Sequence, residues 1–168
     1  MSTPHAITVL VLCTGNSARS ILGEALFNHL GQGRVRAFSA GSKPSGTVNP
    51  VALETLEKHG VPSPAPARSK SWDEFAAAGA PAIDYIFTVC ASAAGETCPI
   101  WPGHPTTAHW GIDDPAHVEP LPARQAAFER AYQALEKRIK AFLALPLEQM
   151  SPQQVAIAAK HIHEACHE

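Results

Sequence analysis

Residues 9–30, VLVLCTGNSARSILGEALFNHL, pass from an apolar run through a short polar turn into a helix-spaced stretch. The run AITVLVL (6–12) reads as a buried strand. From Ser20 onward Ile21, Leu22, Ala25, Leu26, Phe27 and Leu30 recur at helical spacing, and Gly31 ends the helix. The turn between them holds a cysteine, Cys13, and, six positions on, an arginine, Arg19.

Outward from that stretch the same alternation continues. RVRAFSAG (34–41) predicts a second strand that stops at glycine. Asn49-Pro50 opens a helix to about His59, and Ser71 could cap a short helix in WDEFAAAG. IDYIFTV (83–89) is a third strand ending at Cys90, and TAHWGI (107–112) a fourth. Leu121 to Leu145 is a long amphipathic helix with Phe128, Tyr132, Leu135, Ile139 and Phe142 on one face. Strands alternating with helices predict an α/β fold, a four-stranded, doubly wound parallel sheet covered on both faces. Residues 1–145 form the domain. Residues 146–168 form a C-terminal helical tail, with Pro152 in the first turn of a helix to about Ala165.

The chain has 168 residues, enough for one domain with a substantial core, and 45% are hydrophobic. A net charge of −2 with no long basic run gives no electrostatic footprint for nucleic acid. The apolar run near the N-terminus is short, follows no basic residue and lacks a small-residue cleavage site, so it is read as a strand and not a signal peptide. No segment approaches the roughly 18 apolar residues that span a bilayer. A cytoplasmic location is expected, where thiols stay reduced. There, four cysteines point to catalysis, redox chemistry or metal binding before a disulfide framework.

The strand–helix turn explains its own cysteine. The first N–H groups of a helix lack intrahelical partners and the dipole is positive there, so the turn attracts anions. Gly15 is expected to let the backbone amides turn inward as a nest, and Arg19 adds a bidentate fork. Thr14, Gly15, Asn16, Ser17, Ala18, Arg19 and Ser20 are then an oxyanion cradle. The same field lowers a cysteine pKa from ~8.5 to roughly 3.5–7.5. Cys13 is thus a nucleophile poised to attack phosphorus, arsenic or a similar centre.

CTGNSARS (13–20) resembles the active-site loop of low-molecular-weight protein tyrosine phosphatases and of the thioredoxin-coupled arsenate reductases built on that fold. The family loop often carries a second cysteine where this chain has Ala18. FSAG (38–41), Asn49-Pro50, TVC (88–90), CPIWPG (98–103) and AHWGIDDPA (108–116) look like the arsenate reductase branch, and the resemblance covers about residues 6–143. It implies a low-molecular-weight phosphatase-like three-layer fold. Asn16 would sit in a strained turn and Ser20 would hydrogen-bond the thiolate. Some members bind potassium beside the loop, and Asn16, Glu24 and Ser39 match three of the contributors. No fourth acidic residue is found. SKSWDEF offers Lys70 or Ser71 there, and a lysine could replace the ion's charge, so no metal is predicted.

A phosphatase and a reductase share the loop and an Asp-Pro general acid, Asp114, with Asp113 as the alternative. Cys90 and Cys98 discriminate. Cys90 ends a strand at the same sheet edge as Cys13; neighbouring strands lie about 4.8 Å apart, and a disulfide needs Cα atoms about 4.4–6.8 Å apart. Eight residues of helix would hold Cys98 about 12 Å from Cys90, so the segment containing Gly95 must loop or unwind to join them. The resemblance implies that Cys13 attacks arsenate held by Arg19 and the loop amides while Asp114 protonates the departing oxygen. Cys90 then attacks Cys13, releasing arsenite, and Cys98 resolves the Cys13–Cys90 disulfide. An external thiol system, thioredoxin or glutaredoxin with glutathione, regenerates the enzyme, and no cofactor is required. The other readings are a protein tyrosine phosphatase and a non-catalytic oxyanion- or arsenic-binding protein.

His161, His163, Cys166 and His167 cluster at the end of the chain and could bind zinc, copper or arsenite. With no second cysteine among them, a solvated tail is the expectation. His104, His109 and His117 have no partner at ligand spacing, and His109 is expected to pack with Trp110 under the loop.

Overall fold

The computed structural model describes residues 7–13, 15–63, 68–80, 82–89, 106–112, 115–116 and 118–166. Thr14, Cys90, Cys98, His104, Asp113, Asp114, His117 and His167 lie outside them. Strand β1 (Ile7–Cys13) sends Val9, Val11 and Cys13 to one face of a sheet and Leu10 and Leu12 to the other. Both faces are covered, which is why the strand reads as an unbroken apolar run. Strands β2 (Val35–Gly41), β3 (Tyr85–Thr88) and β4 (Thr106–His109) complete a four-stranded sheet of order β2-β1-β3-β4. Every pairing is parallel, with Cys13 opposite Gly41 and Leu12 opposite Thr88.

Helix α1 (Arg19–Gly31) joins β1 to β2. Its terminus refines the expectation for Gly31. The left-handed residue is Gln32, at φ 48°, whereas Gly31 lies against β2, where a Cβ would come within 3.0 Å of Val35 Cβ. Glycine is needed there for close packing and not for the turn. Helix α2 (Pro50–Lys58) starts on Asn49, whose Oδ1 accepts the Val51 N–H at 2.9 Å. Helix α3 (Asp73–Ala76) is preceded by Ser71, whose Oγ accepts the Asp73 N–H at 3.1 Å. Trp72 and Phe75 pack with Leu10, Leu12 and Ile86 on the second sheet face. Helix α4 (Leu121–Leu143) buries its expected stripe of Phe128, Tyr132, Leu135, Ile139 and Phe142 on the first face.

The C-terminal helix corrects the solvated-tail expectation. After a 3-10 turn (Leu147–Gln149), helix α5 (Pro152–Cys166) packs on α4 and β4. Val155 and Ala159 are buried, Ile162 is partly buried beside them, and the three form a stripe at helical spacing. Trp110, fully buried, donates its indole N–H to the Ala159 carbonyl at 2.9 Å, and Arg138 of α4 donates Nε–H to His163 Nδ1 at 3.1 Å. Burial and hydrogen bonding outweigh the usual mobility of a chain end. His109 departs from the expectation too. It is exposed at the end of β4, with Nδ1 2.8 Å from Thr88 Oγ1, while Trp110 alone enters the core. No helix among the described residues is long and apolar enough to cross a membrane.

Candidate active site

Ligands of parallel α/β sheets bind beyond the carboxyl ends of the strands. Cys13 is the last residue of β1 at that edge, and its side chain is buried at the base of the loop entering α1. The Asn16 N–H points to Cys13 Sγ at 3.3 Å, and Ser20 Oγ lies 2.9 Å from the same sulfur.

The polarity of the second contact follows from the bonds around it. Asn16 Oδ1 accepts the Lys70 backbone N–H at 2.8 Å, which fixes the orientation of the amide. Its Nδ2 group therefore donates to Ser20 Oγ at 2.8 Å and to Ser39 Oγ at 3.0 Å. Ser20 Oγ, already accepting a proton from Asn16, has its own hydrogen left for the sulfur. Two donors then converge on Cys13, an arrangement that favours thiolate over thiol.

The loop's backbone takes its special conformation at Asn16, the residue expected in a strained turn. The left-handed residue is Asn16, at φ 47°, and not Gly15, where an added Cβ would meet nothing closer than Ser17 Oγ at 3.6 Å. Asparagine tolerates this conformation better than most residues. The loop carbonyls point outward. Gly15 O accepts from Ser45 N at 3.0 Å and from Ser69 Oγ at 2.9 Å, and Ser17 O accepts from Asn49 N at 2.8 Å. In a trans peptide the N–H opposes the C=O, so the Asn16 amide faces the other way, toward the sulfur, and the Ala18 amide faces away from Asn49. Among the described residues, the N-cap Ala18 makes no side-chain cap to the start of α1, and the first turn holds no acidic residue. An oxyanion there would meet backbone N–H groups and the positive end of the helix dipole.

Arg19 begins α1, and its guanidinium donates through Nη1 to the Ile112 carbonyl at 2.6 Å. Ile112 stands at the same sheet edge because the β3–β4 ladder continues past β4. The Trp110 N–H bonds Thr88 O at 2.7 Å and the Ile112 N–H bonds Val89 O at 2.9 Å. Asp113 and Asp114 follow Ile112 directly in the chain. The Val89 N–H bonds Leu12 O at 2.9 Å, so Val89, the residue before Cys90, lies beside the end of β1.

Beneath the loop lies a buried polar cluster. Ser39 Oγ donates to Glu24 Oε1, and the Lys70 ammonium lies 3.4 Å from Ser39 Oγ and 3.9 Å from Glu24 Oε1. Lys70 reaches this position because its segment runs beside the end of β2: Gly41 N–H bonds Lys70 O at 2.9 Å and Trp72 N–H bonds Gly41 O at 3.0 Å. Burial pushes the Glu24 carboxyl above its ordinary range, against the Ser39 bond and the charges of Lys70 and Arg68. Burial likewise pulls the Lys70 ammonium down, against the attraction of Glu24. Among the described residues no group of three or more His, Cys, Asp or Glu side chains is placed to hold a metal, the C-terminal His161, His163 and Cys166 included. The supports the sequence did not reveal are the Ile112 carbonyl and the braces from Ser45, Asn49 and Ser69, contacts with no local signature.

A family model described as low molecular weight phosphotyrosine protein phosphatase matches residues 8–156. The match reaches into α5, beyond the end of the motifs read from the sequence. An arsenate reductase from Bacillus licheniformis is 35% identical over 137 residues, covering 80% of this chain and 94% of that protein. The arsenate reductase from Archaeoglobus fulgidus superposes with a TM-score of 0.64 at 26% identity, over 82% of this chain and 99% of that one. The tyrosine phosphatase Wzb from Escherichia coli K30, solved in complex with sulphate, gives a TM-score of 0.64 at 27% identity, over 81% and 95%.

Proposed function

Because this chain belongs to the low-molecular-weight phosphotyrosine protein phosphatase family, we propose that it is an arsenate reductase working through a three-cysteine relay. Arsenate binds the loop of residues 14–20, with Arg19 and the inward-facing backbone amides on its oxygens. Cys13 thiolate attacks arsenic(V), and an arsenate oxygen leaves as water after Asp114 protonates it. Cys90 thiolate then attacks the Cys13 sulfur. The electron pair of the sulfur–arsenic bond passes to arsenic, arsenite departs, and a Cys13–Cys90 disulfide remains. Cys98 exchanges into that disulfide, freeing Cys13 and leaving Cys90–Cys98 for thioredoxin or for glutaredoxin with glutathione. The chemistry needs no metal or organic cofactor and belongs in a reducing compartment, the cytoplasm.

The observation that carries this reading is the direct pairing of β1 with β3, Leu12 opposite Thr88. It brings the chain segments that lead into Cys13 and Cys90 to one sheet edge, about the 4.8 Å strand spacing apart. A phosphatase would use the same loop but has no role for Cys90 and Cys98.

The test is arsenite formation with each thiol system, run beside hydrolysis of a small aryl phosphate. Cys13→Ser should abolish both activities. Cys98→Ser should release one arsenite per chain and then accumulate the Cys13–Cys90 disulfide, visible by mass. Wild-type turnover of Cys98→Ser, or phosphate hydrolysis without arsenate reduction, would overturn the relay.

A further inference from the structure

Glu24 and Lys70 are buried beside each other under the loop. Both are tied to Cys13 through hydrogen bonds. Glu24 accepts from Ser39, whose oxygen accepts from the Asn16 amide, which in turn donates to Ser20, the partner of the sulfur. Lys70 enters twice: its ammonium lies against Glu24 and Ser39, and its backbone N–H fixes the Asn16 amide. We propose that Lys70 is a positioning residue for Cys13, its ammonium balancing Glu24 so that a carboxylate can anchor the loop without opposing the thiolate.

The argument is one of charge. Glu24 anchors Ser39 as a hydrogen-bond acceptor, but a lone carboxylate in this low-dielectric layer would raise the energy of a second anion at Cys13. Lys70, its ammonium 3.9 Å from Glu24 Oε1, cancels that charge. The neighbouring charges are already balanced: Arg68, whose carbonyl accepts from Lys70 Nζ at 3.3 Å, pairs with Glu74 at 2.6 Å. The pair at Glu24 and Lys70 therefore sets the net charge under the loop. The proposal rests on Cys13 being the nucleophile, and not on arsenate being its substrate.

The experiment measures the pH dependence of Cys13 alkylation by iodoacetamide, read on the Cys13 peptide by mass, in Lys70→Met, Glu24→Gln and the double variant. Lys70→Met should slow labelling at mildly acidic pH by about tenfold, equivalent to one pKa unit. Glu24→Gln, which leaves the ammonium unopposed, should label at least as fast as wild type. The double variant should return to within about threefold of wild type, since the opposite charge effects cancel. A packing role would slow both single variants and leave the double variant worst, and that pattern would overturn the proposal. If Lys70→Met does not fold, Glu24→Gln and the double variant still decide. Slowed labelling in either, with native circular dichroism, counts against charge balance. Because alkylation needs no arsenate, failure here is distinguishable from failure of the arsenate reductase reading.

Discussion

Replacing Ser20 with alanine removes a single oxygen from beside the Cys13 sulfur. That oxygen lies 2.9 Å from Cys13 Sγ, and its proton is directed to the sulfur because Asn16 Nδ2 occupies the oxygen as a donor at 2.8 Å. A hydrogen bond to a charged group contributes about 1.5–3 kcal/mol. At about 1.4 kcal/mol per pKa unit, its loss should raise the thiolate pKa by roughly 1–2 units. The Asn16 N–H at 3.3 Å and the start of α1 remain, so the thiolate should be weakened and not lost. Alkylation of Cys13 at mildly acidic pH should therefore slow by about 10–100-fold, with the rate recovered at high pH. The same substitution leaves one buried Asn16 amide hydrogen without its acceptor, at a cost to stability of about 1–3 kcal/mol, measurable by urea unfolding. The two readouts separate the roles of the hydroxyl. A loss of stability with an unmoved alkylation midpoint would show that Ser20 only fills space under the loop, and would refute the assigned polarity.

Two further outcomes follow from parts of the fold away from the sulfur. Ending the chain at Pro146 removes α5, which buries Val155 and accepts the Trp110 indole N–H. Those contacts amount to about 2–5 kcal/mol, so thermal unfolding should begin well below that of the full chain. An unchanged midpoint would return α5 to the status of a tail. In acid, burial opposes ionisation of Glu129, but bonds from His59 and Gln133, with the charges of His59 and Lys58, hold its pKa below the ordinary value. Its contribution, which ties α2 to α4, is therefore complete above about pH 4.5 and disappears as pH falls through the depressed value. Glu129→Gln should flatten the acid limb of a stability–pH curve; a limb as steep as that of wild type would place the acid sensitivity elsewhere.

The strand–helix junction was legible because its determinants are contiguous. β1 is apolar on both faces, α1 follows at once, and Cys13 and Arg19 stand at the ends of the turn between them. The long stripe of α4 was legible for the same reason, being periodic within one element. What eluded the sequence is non-local. Arg19 meets a backbone carbonyl 93 positions away, and no side-chain pattern marks a carbonyl as an acceptor. The tail misled because its apolar stripe is narrow, one residue per turn from Val155 through Ala159 to Ile162, between many polar neighbours. Only the position of Trp110 shows that such a narrow stripe has a surface to cover. Lys70 was a borderline case: the family resemblance offered Lys70 or Ser71 beside Glu24, and nothing in the sequence showed that the end of β2 would carry Lys70 there.

Asn16 shows how closely the loop's conformation and its chemistry are joined. The position demands a residue that accepts φ 47°, which glycine would do as well. It also demands a side chain with one acceptor, for the Lys70 N–H, and two donor hydrogens, for Ser20 and Ser39. Aspartate tolerates the conformation but supplies no donors, and it would add a second negative charge beneath the thiolate. Glycine supplies neither donors nor acceptor and would leave the Lys70 N–H and both serines short of partners. Only the asparagine amide meets the backbone and hydrogen-bond requirements together while remaining neutral. Its neutrality matters because the charge under the loop is already balanced between Glu24 and Lys70. The amide can then fix the direction of the Ser20 hydroxyl by geometry alone.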